Sequence, residues 1–235
     1  VKISVITVVR NNADTIADTL RSITAQTHPD IEHIVIDGAS ADGTLEIVKR
    51  LGNRGTKILS EPDYGIYDAM NKGIALATGD VIGFLNADDI YADESVLTQV
   101  AQIMADSSMD ACYADLVYVD RKDTDRIVRY WKSRPYEAGL FEKGWLPAHP
   151  TFYARRRVYE RYGGFDTRFR IQSDFELAMR FLHIHHIRSI YIPHIWVRMR
   201  MGGVTNRRII DVIRGNLEAW RACRKHALRI SPLFI

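Results

Sequence analysis

The feature that most restricts what this chain can fold into is a rhythm in its first hundred residues. Residues 3–9, ISVITVV, are apolar or β-branched almost without a break, as a strand buried on both faces must be. Helical spacing follows at Ile16, Leu20 and Ile23, with Asp14 placed to cap it. Then come a strand at 33–37 (HIVID), a helix opened by Asp42-Gly43-Thr44 and carrying Leu45, Val48 and Leu51, and a short strand from Lys57 to Leu59. A helix marked by Ile66, Met70, Ile74 and Ala77 stops at Gly79; a strand Val81–Leu85 and a helix over Ser95–Met104 complete the series. Connections this short predict an α/β fold, a mostly parallel central sheet with helices on both faces. After about residue 110 the rhythm fades. Residues 111–119 suggest a strand pair, 121–148 a charged and aromatic loop, Ser173 the start of a helix, and Ile187–Ile192 a strand. The segment 207–230 reads as a helix with Ile209, Ile213, Leu217 and Trp220 on one stripe, and Arg214, Arg221 and Lys225 beside it. No repeat or linker interrupts the chain, so one domain over 1–235 is expected, divided into 1–110, 111–205 and a basic amphipathic helix over 206–235.

In parallel sheets of this kind ligands bind beyond the carboxyl ends of the strands. Three strands here end in polar punctuation: Val9-Arg10-Asn11-Asn12, Ile36-Asp37-Gly38 and Leu85-Asn86-Ala87-Asp88-Asp89. Adjacent carboxylates at a strand tip repel, and sharing a hard divalent cation cancels that repulsion; Mg²⁺ or Mn²⁺ takes one or two carboxylates together with substrate phosphates. In the 37–44 loop Asp37 is the ligand candidate and Asp42 the helix cap. On the helix after Gly65, Asp68, Asn71 and Lys72 share one face. The phosphate loop GxxxxGK[ST] and the dinucleotide fingerprint GxGxxG are absent, which argues against an ATPase and an NAD enzyme. Net charge is only +3. Residues 1–100 nevertheless carry 8 basic and 15 acidic side chains, and 101–235 carry 24 and 14, so the front can attract cations and the back anions. The acidic front and the lack of an aromatic–basic repeat argue against nucleic acid as a partner. No apolar run reaches the ~18 residues a membrane span requires, no secretory signal is visible, and Cys112 and Cys223 read as reduced thiols of a cytoplasmic protein.

Taken in order, ISVITVVRNN, VIDGASADGT, SEPDYGIYDAMNKGIALATGD and FLNADD resemble the family 2 glycosyltransferases of the GT-A (Rossmann-like) fold. The resemblance is dense over 1–90 and resumes at HPTFYARR (149–156), YGGFD (162–166) and SDFEL (173–177), nearest to bacterial members that build exopolysaccharide, capsule or lipopolysaccharide. It implies that the strand tips bind a nucleotide diphosphate sugar. Thr7, Val9, Arg10 and Asp37 would line the nucleoside pocket, with Asp68 and Lys72 near the nucleotide. Asn86-Ala87-Asp88 stands at the DxD motif, with Asp88 as metal ligand. Asn86 replaces the usual aspartate, which leaves metal dependence open and gives a catalytically silent sugar-binding module as the alternative.

Sugar transfer releases a diphosphate, whose growing charge a divalent cation offsets, and deprotonates an acceptor hydroxyl, which calls for a carboxylate base. Asp174, at a helix start, is the expected base, inverting the anomeric centre, and Glu176 the fallback in a supporting role. His149 is placed to contact acceptor or diphosphate, Trp145 and Tyr136 to stack on a sugar, and Arg198, Arg200 and Gly202-Gly203 to clamp the diphosphate or close as a lid. The basic C-terminal helix, with 7 basic and 2 acidic residues over 205–230, suits an anionic membrane surface at the inner face of the plasma membrane, where a glycan or lipid-linked oligosaccharide would be the acceptor; the alternative is that its apolar stripe packs against the domain or against a second subunit.

Overall fold

The computed structural model describes residues 1–53, 55–202, 209–228 and 230. Nine strands among them form one mixed sheet. They are β1 (Ile3–Val9), β2 (Ile31–Asp37), β3 (Lys57–Ser60), β4 (Val81–Phe84), β5 (Ile90–Tyr91), β6 (Ala111–Val119), β7 (Ile127–Trp131), β8 (Tyr153–Arg155) and β9 (Ser189–Arg200). The helices are α1 (Ile16–Thr24), α2 (Thr44–Leu51), α3 (Ile66–Leu76), α4 (Val96–Ile103), α5 (Arg156–Tyr162), α6 (Ser173–Met179) and α7 (Ile209–Lys225). Strand order is β3-β2-β1-β4-β8-β6-β9-β5, with β7 on β6. The first four in that order are parallel, β8 runs antiparallel to both its neighbours, and β6 and β9 are parallel.

β1 is buried along its whole length, and the pleat explains why its sequence shows no polar face. Ile6 and Val8 pack with Met70 of α3, Val158 of α5 and Phe175 of α6, whereas Ile3 and Val5 pack with Ile23 of α1 and Val100 of α4. Two glycines set how closely the layers approach. A Cβ at Gly73 would collide with Ile6, so α3 lies directly on β1; one at Gly83 would collide with the Tyr153 ring across the β4–β8 pair.

The outer sheet departs from the sequence reading. Residues 111–119 are one fully buried strand, not a pair. The stretch expected to be loop contains β7: Asp120 and Asp123 accept the amides of Lys122, Asp123 and Asp125 in the turn, and the chain returns along β6. Its charge is that of a hairpin turn. β9 is twice the expected length, because the register shift between Ile192 and Ile195 absorbs Pro193, which has no N–H to donate, and pairing resumes beyond it. α1 starts without a cap from Asp14; Thr15 precedes it and spends its hydroxyl on the Ala87 carbonyl. α7 docks through Ala222 and Cys223, while Ile213 and Leu217 of the predicted stripe stay 50% exposed; the Ile209 side chain and residues 206–208 lie outside the described residues.

Candidate active site

The register brings the three polar tips to one rim. Val9 lies opposite Asp37, Asp37 opposite Ser60, and Leu85 N–H donates to the Ile6 carbonyl, carrying β4 out beside β1. The loops after β1 and β2 are stitched together. Asn11 Oδ1 accepts Ala41 N–H, Ser40 Oγ accepts Asn11 N–H, and Asp42 accepts the amides of Ala13 and Thr44. Asp42 is thus the structural residue of its loop. Asp37 is fully buried and accepts Ser40 N–H and, at 2.6 Å, the Ser60 hydroxyl. Arg10 is exposed at the rim, and a Cβ on Gly38 would lie 3.3 Å from its Cδ.

Not every predicted nucleoside contact reaches this rim through its side chain. Thr7 is fully buried, 3.0 Å from His33 Nε2, and burial lowers that imidazole to about 4. Val9 packs with Ile16, Leu20 and Val48. Asp68 and Lys72 come together but brace the loop after β3. Lys72 reaches Glu61 and the Pro62 carbonyl, both at 2.8 Å, and Asp68 Oδ2 accepts Tyr64 N–H.

The Asn86–Asp89 turn is held from below by its carbonyls. Thr15 Oγ donates to Ala87 O, Thr19 Oγ to Asp89 O at 2.7 Å and Arg200 Nη1 to Asp88 O at 3.0 Å. The two adjacent carboxyls differ. Asp89 is 1% exposed, and burial and then the Asp88 charge raise its carboxyl well above the usual range. Asp88 is partly exposed at the tip. Asn86 Oδ1 is buried with no hydrogen-bond partner among the described residues. A carboxylate beside an unpartnered amide oxygen fits a hard divalent ion that takes its remaining ligands from phosphate, although no cluster of three or more His, Cys, Asp or Glu among the described residues could hold a metal by itself. Arg198 and Arg200 do not converge as a clamp. Arg200 is buried beneath the turn, donating also to Asp18 at 2.6 Å, whereas Arg198 pairs with Asp125 on the β6–β7 turn. Gly203 lies outside the described residues.

Asp174 stands in the first turn of α6. Its Oδ1 accepts Phe175 N–H at 2.9 Å and the Tyr67 hydroxyl at 3.1 Å; Oδ2 accepts nothing from the described residues. Tyr67, on α3, also lies 2.7 Å from the Ile171 carbonyl. Burial, reinforced by the Asp174 charge, raises its phenol well above the ordinary value, so it remains a donor. His149 is near: its ring packs on Phe84 and Phe165, burial lowers its basicity while the Asp174 charge opposes, and Nε2 is buried without a hydrogen-bond partner among the described residues. Asn71 joins the halves again, exchanging two hydrogen bonds with the backbone of Phe165. Glu176 is fully buried among Arg180, Lys225 and His226. Trp145 and Tyr136 pack on each other and on Phe141, and Trp145 Nε1 has no hydrogen-bond partner among the described residues. Sequence reasoning missed Tyr67 and Asp18. Tyr67 lies within the quoted SEPDYGIYDAMN motif, but its partner is 107 residues away.

Residues 4–171 match the sequence model of glycosyl transferase family 2. A PGL/p-HBAD biosynthesis glycosyltransferase of Mycobacterium bovis is 31% identical over 180 residues, 75% of this chain and 68% of its own. An uncharacterized glycosyltransferase of Mycobacterium tuberculosis is 34% identical over 184 residues, 76% and 68% respectively. Among solved structures, the mannosyltransferase PcManGT from Pyrobaculum calidifontis, in complex with GDP-Man and Mn²⁺, superposes with a TM-score of 0.71 at 21% identity, covering 99% of this chain and 66% of that one. S. aureus TarS 1–349 in complex with UDP-GlcNAc gives 0.66 at 17%, covering 93% and 66%. The chain thus spans about two-thirds of the length of these proteins. The structural likeness establishes the GT-A-type fold expected from the sequence. With that fold, a family match over residues 4–171 and relatives above 30% identity, the chain belongs to glycosyl transferase family 2.

Proposed function

We propose that this chain transfers a sugar, with inversion, from a nucleotide diphosphate sugar to a hydroxyl of a glycan or lipid-linked acceptor in bacterial surface glycoconjugate assembly. The observation that carries the reading is Asp174. Its Oδ1 is held by Phe175 N–H and by Tyr67 from the helix that closes the donor side, and Oδ2, which accepts nothing from the described residues, receives the proton. Residues 1–110 form the donor half in this reading and 111–205 the acceptor half. Arg10, Asp37 and the backbone at Thr7 and Val9 receive the nucleoside; Asp68 and Lys72 shape the pocket wall through the 61–65 loop. Asp88 and Asn86 Oδ1 would hold Mn²⁺ or Mg²⁺, and Ala87 keeps that turn tight. Bound there, the cation supplies positive charge to the leaving diphosphate. Arg200 supports the turn from beneath, Arg198 steadies the neighbouring hairpin, and neutral His149 offers Nε2 to the acceptor. Asp174 removes the acceptor proton while the hydroxyl attacks opposite the departing diphosphate, so a single displacement inverts the anomeric carbon.

The acceptor side suits a membrane surface. Val212, Ile213 and Leu217 of α7 are each 50% exposed, with Arg214, Arg221 and Arg224 exposed beside them. Such a helix lies on anionic lipid rather than through it, and no described helix is long and apolar enough to cross. We place the protein at the cytoplasmic face of the plasma membrane. The donor is found by a thermal-shift screen of UDP-, GDP- and dTDP-sugars with and without Mn²⁺, because a ligand of the native state raises the melting temperature. NMR of the product then reads the anomeric configuration. Absence of any shift across the panel, or retention in the product, contradicts the proposal.

A further inference from the structure

The loop leading into α6 contains an unusual convergence. Three successive peptide N–H groups point at one carboxylate: Glu218 Oε1 accepts Arg170 N–H at 3.1 Å, and Oε2 accepts those of Ile171 at 2.7 Å and Gln172 at 3.0 Å. Consecutive amides turned to one point form an anion-binding concavity, and here the anion comes from the chain's own α7. Charge-assisted bonds of this kind are stronger than neutral ones. Two of the three helices involved, α6 and α7, lie beyond the segment 4–171 that the family model matches.

Ile171 is held from both directions. Its N–H is on Glu218, and its carbonyl accepts the Tyr67 hydroxyl, which also lies 3.1 Å from Asp174 Oδ1. A phenol has one proton and cannot fully serve two acceptors. The placement of the Ile171 carbonyl therefore governs how Tyr67 is shared with Asp174. We infer that Glu218 is a positioning residue for sugar transfer: by filling the 170–172 concavity it fixes Ile171, and through Ile171 the Tyr67 phenol, so that Asp174 keeps Oδ1 anchored and Oδ2 open. The inference rests on the reading of Asp174 as the base.

Simple docking of α7 does not account for these bonds. Docking is already served by Ala222 and Cys223 in the core and by Lys225 and His226 on Glu176 at 2.6 and 2.7 Å. Glu218 instead spends both oxygens on backbone of one loop. One turn earlier, a Cβ on Gly215 would lie 3.2 Å from Gln172 Nε2 and 3.4 Å from Ile171 Cγ2, so α7 approaches closely at the same loop.

The test compares Glu218→Gln, Glu218→Ala, Lys225→Ala and Asp174→Asn in the full chain with Mn²⁺. The donor is whichever of UDP-glucose, UDP-GlcNAc, GDP-mannose and dTDP-rhamnose gives the largest thermal shift; readouts are donor Kd, nucleoside diphosphate release and amide hydrogen exchange. Misplacing a catalytic group by about 1 Å costs on the order of 10²-fold. Glu218→Gln, which preserves shape, should lower turnover about 10-fold with donor Kd within about twofold, and Glu218→Ala should lower it at least as much and release the 170–172 amides to exchange. Lys225→Ala, which loosens α7 without touching that loop, should keep turnover within about threefold. Wild-type turnover in both Glu218 variants, beside an inactive Asp174→Asn, overturns the inference and leaves the base standing. Equal losses in Glu218→Gln and Lys225→Ala reduce Glu218 to docking and also overturn it. Full turnover by Asp174→Asn removes the base itself, a different failure.

Discussion

At the scale of single residues, burial separates side chains that look equivalent in sequence. Asp88 and Asp89 are neighbours with the same chemistry, yet only Asp88 is open enough to take an ion, while Asp89 is 1% exposed. Asp88→Ala should therefore abolish the Mn²⁺-dependent part of donor affinity, measured by calorimetry with and without the ion; unchanged affinity with Mn²⁺ removes Asp88 from the metal site. Asp174 and Glu176 divide in the same way. Glu176 is fully buried and held by Arg180, Lys225 and His226, so Glu176→Ala should cost roughly 3–5 kcal/mol of stability in urea unfolding, because it strands the Arg180 and Lys225 charges. Near-native stability would show that the cluster is better solvated than its burial implies.

At the scale of elements, the inner sheet was legible and the outer sheet was not, for a physical reason. β1, β2 and β4 are buried on both faces and joined by short crossovers, so their unbroken apolar runs announce them. β8, β6 and β9 pair across long separations, and periodicity carries no information about which distant strand is the partner. β7 leaves Ile127, Val128 and Tyr130 about half exposed and shows no period-2 face, so it reads as loop. The site divides likewise. Strand tips could be aligned from sequence, but the Tyr67–Asp174 bond and the burial of Arg200 under the 86–89 turn depend on tertiary approach. The α7 stripe was read correctly as apolar, with a membrane surface, the domain or a second subunit as the alternatives for what covers it; the structure leaves Ile213 and Leu217 exposed and docks the helix through Ala222 and Cys223, beside Gly215 and Glu218. Gly83 gives the element-scale prediction. Gly83→Ala places a methyl in the Tyr153 ring and should destabilise by about 1–3 kcal/mol through overpacking, read as a lower urea midpoint. An unchanged midpoint would mean that β8 can shift to make room.

At the scale of the whole molecule, two halves of opposite charge meet along Tyr67–Asp174, Asn71–Phe165 and Arg200–Asp88, and the native state carries titrating groups that make acid costly. Burial holds His33 at about 4, against 6.5 for the free side chain. The unfolded chain therefore binds the extra proton first, and stability falls as pH drops from 6.5 to 4, by roughly 3 kcal/mol. Burial raises Glu176, but His226, Arg180 and Lys225 outweigh it and bring it from 4.5 to about 2, so its contribution is complete above pH 4.5 and is lost between 4.5 and 2. Urea midpoints across pH 3–8 should fall monotonically with acid, and a flat profile down to pH 4 would contradict the buried neutral His33. The central claim joins the two halves in one reaction: the donor bound at the rim reacts with a hydroxyl that Asp174 deprotonates. Its most direct test is donor Kd and transfer rate for wild type and Asp174→Asn with Mn²⁺. The account predicts donor affinity unchanged within about twofold and transfer reduced about 10²–10⁴-fold, the range of general-base catalysis; transfer by Asp174→Asn at the wild-type rate would contradict it.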